Sequence, residues 1–430
     1  MRRLPGRRLP KGRLILGMGG ALTLFLGLGG CSSGFLPDTL FIYVENESSQ
    51  SRQAEIGDSR RVVQQLLEDF EQANPGVRIR VRHFSSGAIV PATAYRTSRA
   101  LGPDLLVTRV VTALRLNQQH LSTPVRFRGK GLEEIHPRFL AEFRLADNRF
   151  LAVPLLAEPQ LACFNRRRVP DPPTSLDQLI ALSAKGMRVG LPLAATDLYW
   201  TASGSDAEDS LQALLESADD SAAAAPSFKA TDQRRLLGWL NWLDNANQQQ
   251  NVEFAEESID LVERLGRGER DWISCNSLWL GRLGRQMKGS LGVSELPGAD
   301  GQPATTLTRL KVWSFGTHSS PRQRQLAQAF VLFTLNPVNQ RRMMLAGPGN
   351  VPVNKEVLIP TKSSQRYAAM AASLDHSRML SFRHPERVEQ RVGQLHDLLR
   401  QLMAGSLDPN GVIQGLTDQA GGAPPDQDTP

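Results

Sequence analysis

From Asp58 to Ala73 the apolar residues Val62, Val63, Leu66, Leu67 and Phe70 recur at helical spacing, and Asn74-Pro75-Gly76 stops the run. A strand-like stretch from Leu40 to Val44 precedes this helix, and Val77 to Phe84 alternates apolar residues with Arg and His after it. Strand, helix, strand in this order predicts a parallel pair joined by a crossover. Further on, an apolar run from Phe150 to Leu156 meets Glu158 and Pro159, and a second strand-like run follows from Leu161 to Phe164. Arg166 to Arg168 and the prolines 170, 172 and 173 make a solvated loop. Ser175 with Gln178 three residues on reads as a capping box that restarts a helix.

The same pattern continues along the chain. Met187 to Pro192 is strand-like and leads to Tyr199 and Trp200 at a helix start. Glu216 to Lys229 is a polar low-complexity loop. Amphipathic helices are expected at about Thr231 to Asn245 and Ala255 to Leu265, and longer ones from Arg322 to Leu335, Asn336 to Leu345 and Pro385 to Met403. From Thr417 onward the composition is that of a disordered tail.

A chain of 430 residues is long enough for two or three cores. Its formal charge of +7 suggests a nucleic-acid binder until the charge is located. Arg2, Arg3, Arg7, Arg8, Lys11 and Arg13 precede a stretch with no acid before Asp38; without those six, 44 basic residues face 43 acids. The bulk of the chain is nearly neutral, and no nucleic-acid partner is expected. The basic segment leads into a Gly/Leu-rich run, Leu14 to Leu26, and then Leu28-Gly29-Gly30-Cys31. That run is shorter than the ~20 residues a membrane span needs. The order resembles the lipobox of bacterial lipoprotein signals, which implies cleavage after residue 30 and a lipid on Cys31. Of the other cysteines, Cys163 and Cys275 both lie in strand-like runs; an oxidising compartment permits a bridge, but in such apolar runs a small buried thiol is the favoured reading of each.

Several segments share a family pattern. VPLLAEPQLACFNRRRVPDPPTSLDQL, FEQANPGVRIRV, DWISCNSLWL, LGVSELP and the Pro-Val-Asn of Gly349 to Asn354 occur in the order found in bacterial extracellular solute-binding proteins of the maltose-binding type, which the chain resembles from about Leu36 to Gly415. The resemblance implies an α/β periplasmic-binding-protein type II fold, with two lobes of mostly parallel sheet flanked by helices and joined by two or three hinge crossings. It divides the chain into a signal peptide (1–30), a lipid-anchored tether (31–37), a first lobe (38–157 with 296–348), a second lobe (158–295 with 349–415) and a tail (416–430).

Sugars are held by aromatic faces against ring C–H patches and by planar polar groups on hydroxyls. Trp279 is the leading stacking candidate, followed by Trp200, Tyr199 and Trp313; each also reads as a core residue on an apolar segment. Glu158, beside a crossing, is a hydroxyl acceptor or a rim partner of the arginines that follow it. Glu45 and Asn46 end the first strand, where a parallel sheet presents ligand-facing groups. Asn276 orients a ligand or caps the following helix. Arg109 anchors an acidic group or is simply solvated, and Arg378 is a weaker candidate of the same kind.

The seven histidines are scattered, with no His-Glu-x-x-His, and there is no Gly-x-Ser-x-Gly elbow, phosphate loop or dinucleotide fingerprint. No metal, no cofactor and no catalysis are expected. The resemblance implies a monomeric lipoprotein of the periplasm or cell envelope. It would capture a sugar or sugar-like solute, a disaccharide or glycosylated polyol, for the permease subunits of an ATP-driven importer of the inner membrane. The alternatives are a two-lobed envelope lipoprotein that senses or assembles without transport, and a glycosidase-like enzyme.

Overall fold

The structure, a computed structural model, describes residues 38–46, 58–127, 131–216, 230–299, 301–380 and 385–418. The signal segment, Cys31, the tether, most of the polar loop after Glu216 and residues 419–430 lie outside the described residues.

The chain begins with β1 (Asp38–Asn46), the helix Asp58–Ala73 and β2 (Val77–Ser85), then the helix Ser86–Thr97, β3 (Leu105–Arg109) and the helix Val110–Gln118. β4 (Val153–Ala157) and β5 (Gln160–Asn165) follow, then β6 (Val189–Pro192), β7 (Val252–Ala255), β8 (Trp272–Asn276) and β9 (Leu291–Ser294). β10 (Thr306–Leu307), β11 (Leu310–Phe315), β12 (Val351–Pro352) and β13 (Ser377–Arg378) complete the strands among the described residues. One sheet has the order β12-β4-β11-β3-β1-β2, a second the order β7-β6-β8-β5-β9, and β10 pairs with β13.

The sheets are mixed, where mostly parallel sheets were expected. β1 is parallel to β2 and β3, but β11 runs antiparallel to β3 and β4, and β12 antiparallel to β4. In the second sheet β6 is parallel to β7 and β8, while β5 is antiparallel to β8 and β9. The reason is topological: β5, β11 and β12 each start at the edge where the chain crosses, so they run against strands that end there. Val351–Pro352 also pairs in the first sheet, although the family pattern assigned 349 onward to the second lobe. The return falls later, before the helix Gln365–Asp375, whose Ser373 hydroxyl donates to the Gln160 carbonyl at 2.7 Å.

Alternation divides the cores. In the first sheet Leu40, Ile42, Leu105 and Val107 face one core with Leu66 and Phe70, while Tyr43 and Leu106 face another with Ile89 and Val90. In the second sheet Ala162 and Phe164 pack with Trp200 and Trp239, while Leu161 and Cys163 face Leu261 and Ile273. The helix Pro385–Met403 has the bounds that its periodicity predicts. Two expectations shift. β7 precedes a helix that starts at Ser258 rather than Ala255, and the helix Pro409–Asp418 buries Leu416, so the tail begins later than residue 416. Ser175 accepts from the Gln178 backbone N–H at 3.2 Å, but the Gln178 side chain returns to Thr174 rather than to Ser175.

Cys163 and Cys275 form a disulfide. Cys163 is opposite Ile273 and Cys275 opposite Leu161, so the two cysteines are diagonal neighbours on one face of the β5–β8 pair, with Cα atoms 5.9 Å apart. At the far end of β8 the buried Asp271 carboxylate accepts from the Arg188 backbone N–H (3.0 Å), Nε (3.0 Å) and Nη2 (2.7 Å). Burial pushes that carboxyl up, but the Arg188 hydrogen bonds and charge outweigh it and hold the group below the usual carboxylate range.

Replacing both Cys163 and Cys275 with Ala should cost about 2–4 kcal/mol of stability, measured by urea denaturation of the oxidised protein and the double variant. Because the Asp271 pKa is depressed in the folded state, its contribution is present above the unfolded value of about 4 and is lost as pH falls through the folded value. Asp271→Asn should therefore lower stability at neutral pH and flatten that part of the acid limb in a pH series of denaturation curves.

Candidate functional site

Two residues, Glu158 and Pro159, separate β4 in the first sheet from β5 in the second. Their backbone is tied on both sides. Glu158 N–H donates to the Arg309 carbonyl at 3.0 Å, and the Ser277 N–H donates to the Pro159 carbonyl at 2.9 Å. At this edge of the first sheet the register sets Lys311 between Leu156 and Arg109. Lys311 Nζ stands 3.1 Å from Glu158 Oε1, which is buried and has no directed hydrogen bond among the described residues. The Glu158 partner is thus Lys311, and not the arginines that follow it in sequence.

Glu45 meets Arg109 on the same edge. One oxygen of its buried carboxylate accepts from the Arg109 backbone N–H at 2.8 Å; the other accepts from the Thr112 hydroxyl at 2.9 Å and the Arg109 guanidinium at 3.3 Å. Arg109 opens the helix Val110–Gln118 and its own side chain makes no cap, so Glu45 satisfies free donors at that helix start from a neighbouring strand. Asn46 is buried beside it, and its Nδ2 has no partner among the described residues.

The second sheet answers with Gln160, Asp197 and Asn276. Gln160 Nε2 donates to the Asp197 carbonyl at 2.7 Å and to the Ser274 hydroxyl at 3.0 Å. Asp197, in the first turn of the helix Ala195–Ser203, is ion-paired with Arg309 and lies 3.4 Å from the Ser258 hydroxyl. Asn276 caps the short turn Ser277–Trp279 by accepting from the Leu278 N–H at 2.8 Å. Ser277 then donates to the Gly349 carbonyl at 2.6 Å. The backbones approach so closely there that a Cβ on Gly349 would collide with the Ser277 carbonyl, so glycine is required.

The predicted aromatic residues are elsewhere. Trp279 is 3% exposed, Trp200 0%, Tyr199 1% and Trp313 4%, all within the cores. Trp200 packs near Trp272, with ring centroids 6.1 Å apart. Trp313 lies edge-on to Phe330 and donates to the Thr334 hydroxyl at 3.2 Å. Burial pushes the Tyr199 phenol up. None of these rings offers a free face, so each serves as packing in this conformation. Arg378 is occupied on the surface by Glu208 (2.8 Å) and Asp209 (2.6 Å).

The structure thus brings Glu45, Asn46, Arg109, Glu158 and Asn276 to the crossing edge and leaves the aromatic candidates in the cores. Sequence reasoning missed Asp197, Arg309 and Lys311. A signal exists for the first: an acid in the first turn of a helix that follows a parallel strand. Arg309 and Lys311, in RLKVWSF, look like the solvated face of an ordinary strand. Among the described residues no cluster of His, Cys, Asp or Glu could hold a metal ion, and no helix is long and apolar enough to cross a membrane.

Solved structures share this two-lobed α/β architecture. The GacH receptor of Streptomyces glaucescens, solved unliganded and with acarbose, superposes with a TM-score of 0.71 at 13% identity, over 89% of this chain and 97% of that one. Maltose-bound MalE3 of T. maritima gives 0.69 at 13% identity over 89% and 98%. The cyclic α-maltosyl-1,6-maltose binding protein of Arthrobacter globiformis gives 0.69 at 14% over 90% and 98%. No relative is found among curated proteins. The model of the bacterial extracellular solute-binding protein family matches residues 65–372, and the chain belongs to that family.

Proposed function

We propose that the chain is the solute receptor of an ATP-driven importer, a monomer without enzymatic activity or cofactor, held at the cell envelope through a lipid on Cys31. Its cargo is a neutral sugar or sugar-like solute of disaccharide size or smaller, captured between the lobes. The fold is shared with proteins whose structures hold maltose or acarbose. The observation that carries the reading is the charge balance of the crossing edge. Lys311 is matched by Glu158, Arg109 by Glu45 and Arg309 by Asp197, so three cations meet three carboxylates. An edge with no net charge has little to hold an anion, whereas its planar charged groups suit hydroxyls, which donate and accept at once. Asn46 Nδ2 supplies a donor with no partner among the described residues. With the aromatic candidates buried, recognition rests on hydrogen bonds, and that favours a small ligand over a long oligosaccharide.

A ligand touching both sheets binds the closed form better than the open one, which supplies the differential free energy that hinge closure needs. A thermal-shift screen of the protein beginning at Ser32 tests this, with disaccharides, glycosylglycerols, polyols, sugar phosphates and organic acids. A neutral ligand at 100 times its dissociation constant should add about 2.7 kcal/mol. Glu158→Gln and Asp197→Asn should abolish the shift, and a response confined to anions would overturn the reading. Glu45→Ala should act differently: the free protein loses about 1–2 kcal/mol, because a helix start is left uncapped.

A further inference from the structure

The opposite edge of the first sheet carries a surface that the binding site does not explain. β1 and β2 are parallel and in register, with Phe41 opposite Arg80 and Tyr43 opposite Arg82. Residues 78, 80 and 82 share the face on which Tyr43 and Leu106 pack against Ile89 and Val90 of the helix Ser86–Thr97. That helix runs back over the sheet, so its last turn lies near the strand beginnings; there Asp104 N–H donates to the Phe41 carbonyl at 2.8 Å. The crossover thereby leaves three exposed apolar residues in the segments at the strand beginnings: Phe41 is 39% exposed, Tyr95 60% and Leu101 60%. Around them stand the exposed arginines 80, 82 and 99, and the Arg99 guanidinium lies 3.8 Å from the Tyr95 ring centre.

The acids of this corner are already engaged. Glu71 faces Arg78 at 4.0 Å, Asp38 pairs with Arg322 at 3.0 Å, and the buried Asp104 accepts from Phe41 N–H at 2.8 Å and the Ser319 hydroxyl at 2.7 Å. Among the described residues no acid lies within 4.0 Å of Arg80 or Arg82. The chain after Cys31 carries almost no net charge, so the arginine excess here is a local asymmetry.

We propose that this corner rests on an anionic membrane surface, with Phe41, Tyr95 and Leu101 entering the headgroup layer and Arg80, Arg82 and Arg99 meeting lipid phosphates. Aromatic and aliphatic side chains ringed by arginine suit an interface that is apolar within and anionic outside. The covalent chain points to the same occupant. Phe41 lies three residues into β1, and from Cys31 to Asp38 the backbone reaches at most about 25 Å. This second point rests on the lipidation of Cys31 proposed above. From Phe41, β1 runs away from the corner for five residues, roughly 17 Å, to Asn46, so the docked protein holds its crossing edge away from the lipid, open to solute.

The test is co-sedimentation of the unacylated protein beginning at Ser32, which keeps every described element, with phosphatidylglycerol or phosphatidylcholine vesicles. Binding to the anionic vesicles alone is expected, lost at high salt. At about fivefold per arginine, Arg80→Glu with Arg82→Glu should weaken it by at least about 25-fold, and Tyr95→Ser should weaken it further. Arg167→Glu with Lys288→Glu, at the far end of the second sheet, should leave it unchanged. No binding to anionic vesicles, or equal losses in the two double variants, would overturn the proposal. So would sedimentation velocity that shows a dimer broken by Tyr95→Ser, since the patch would then join two copies. Acylation is tested separately, by lipid incorporation into the full chain and its Cys31→Ser variant. Vesicle binding by a chain that takes up no lipid would still support the surface.

Discussion

Everything between the sheets depends on how little chain joins β4 to β5. With only Glu158 and Pro159 between the two strands, both sheets must bring an edge to the same place. Pro159 has no N–H to satisfy there, and its carbonyl is taken by Ser277. The Glu158 carboxylate is then buried, and a buried carboxylate needs a cation. Lys311 supplies it from the strand alongside β4, and Arg309, two residues earlier, reaches across to Asp197 in the other half. The ion pairs are a consequence of the short joint.

Sequence reveals this architecture unevenly, for physical reasons. Helices with one apolar stripe, such as Pro385–Met403, are legible because the 3.6-residue period is local. β7 is not, because NVEFAEES has too few apolar residues to show a period of two before the acids begin. The antiparallel strands β5, β11 and β12 read as strands, but their direction depends on which lobe the chain has just left. The disulfide is equally hidden: 112 residues separate its halves, and only the β5–β8 register makes them neighbours.

The site shows the same division. Glu45, Asn46, Arg109, Glu158 and Asn276 were chosen by position, as polar residues at strand ends, and the fold gathers them at one edge. Their roles needed the geometry, since neither the Glu45 cap on the Arg109 amide nor the Asn276 cap on its turn follows from residue type. Tryptophans that stack on ligands and tryptophans that fill cores both occur in apolar runs. Trp279 in SCNSLWL and Trp200 in DLYW therefore looked alike, and both are buried in this structure.

The cystine has a mechanical consequence. It fastens β5, which leaves the joint at Glu158, to β8, which arrives at the Ser277–Gly349 contact. The two strands that reach the crossing edge therefore cannot slide past each other, and the second sheet acts there as a stiff lever. Bending is left to the few residues beyond the fastened strands. A small rotation at Glu158–Pro159 is then carried to the far end of that sheet as a change in the angle between the halves.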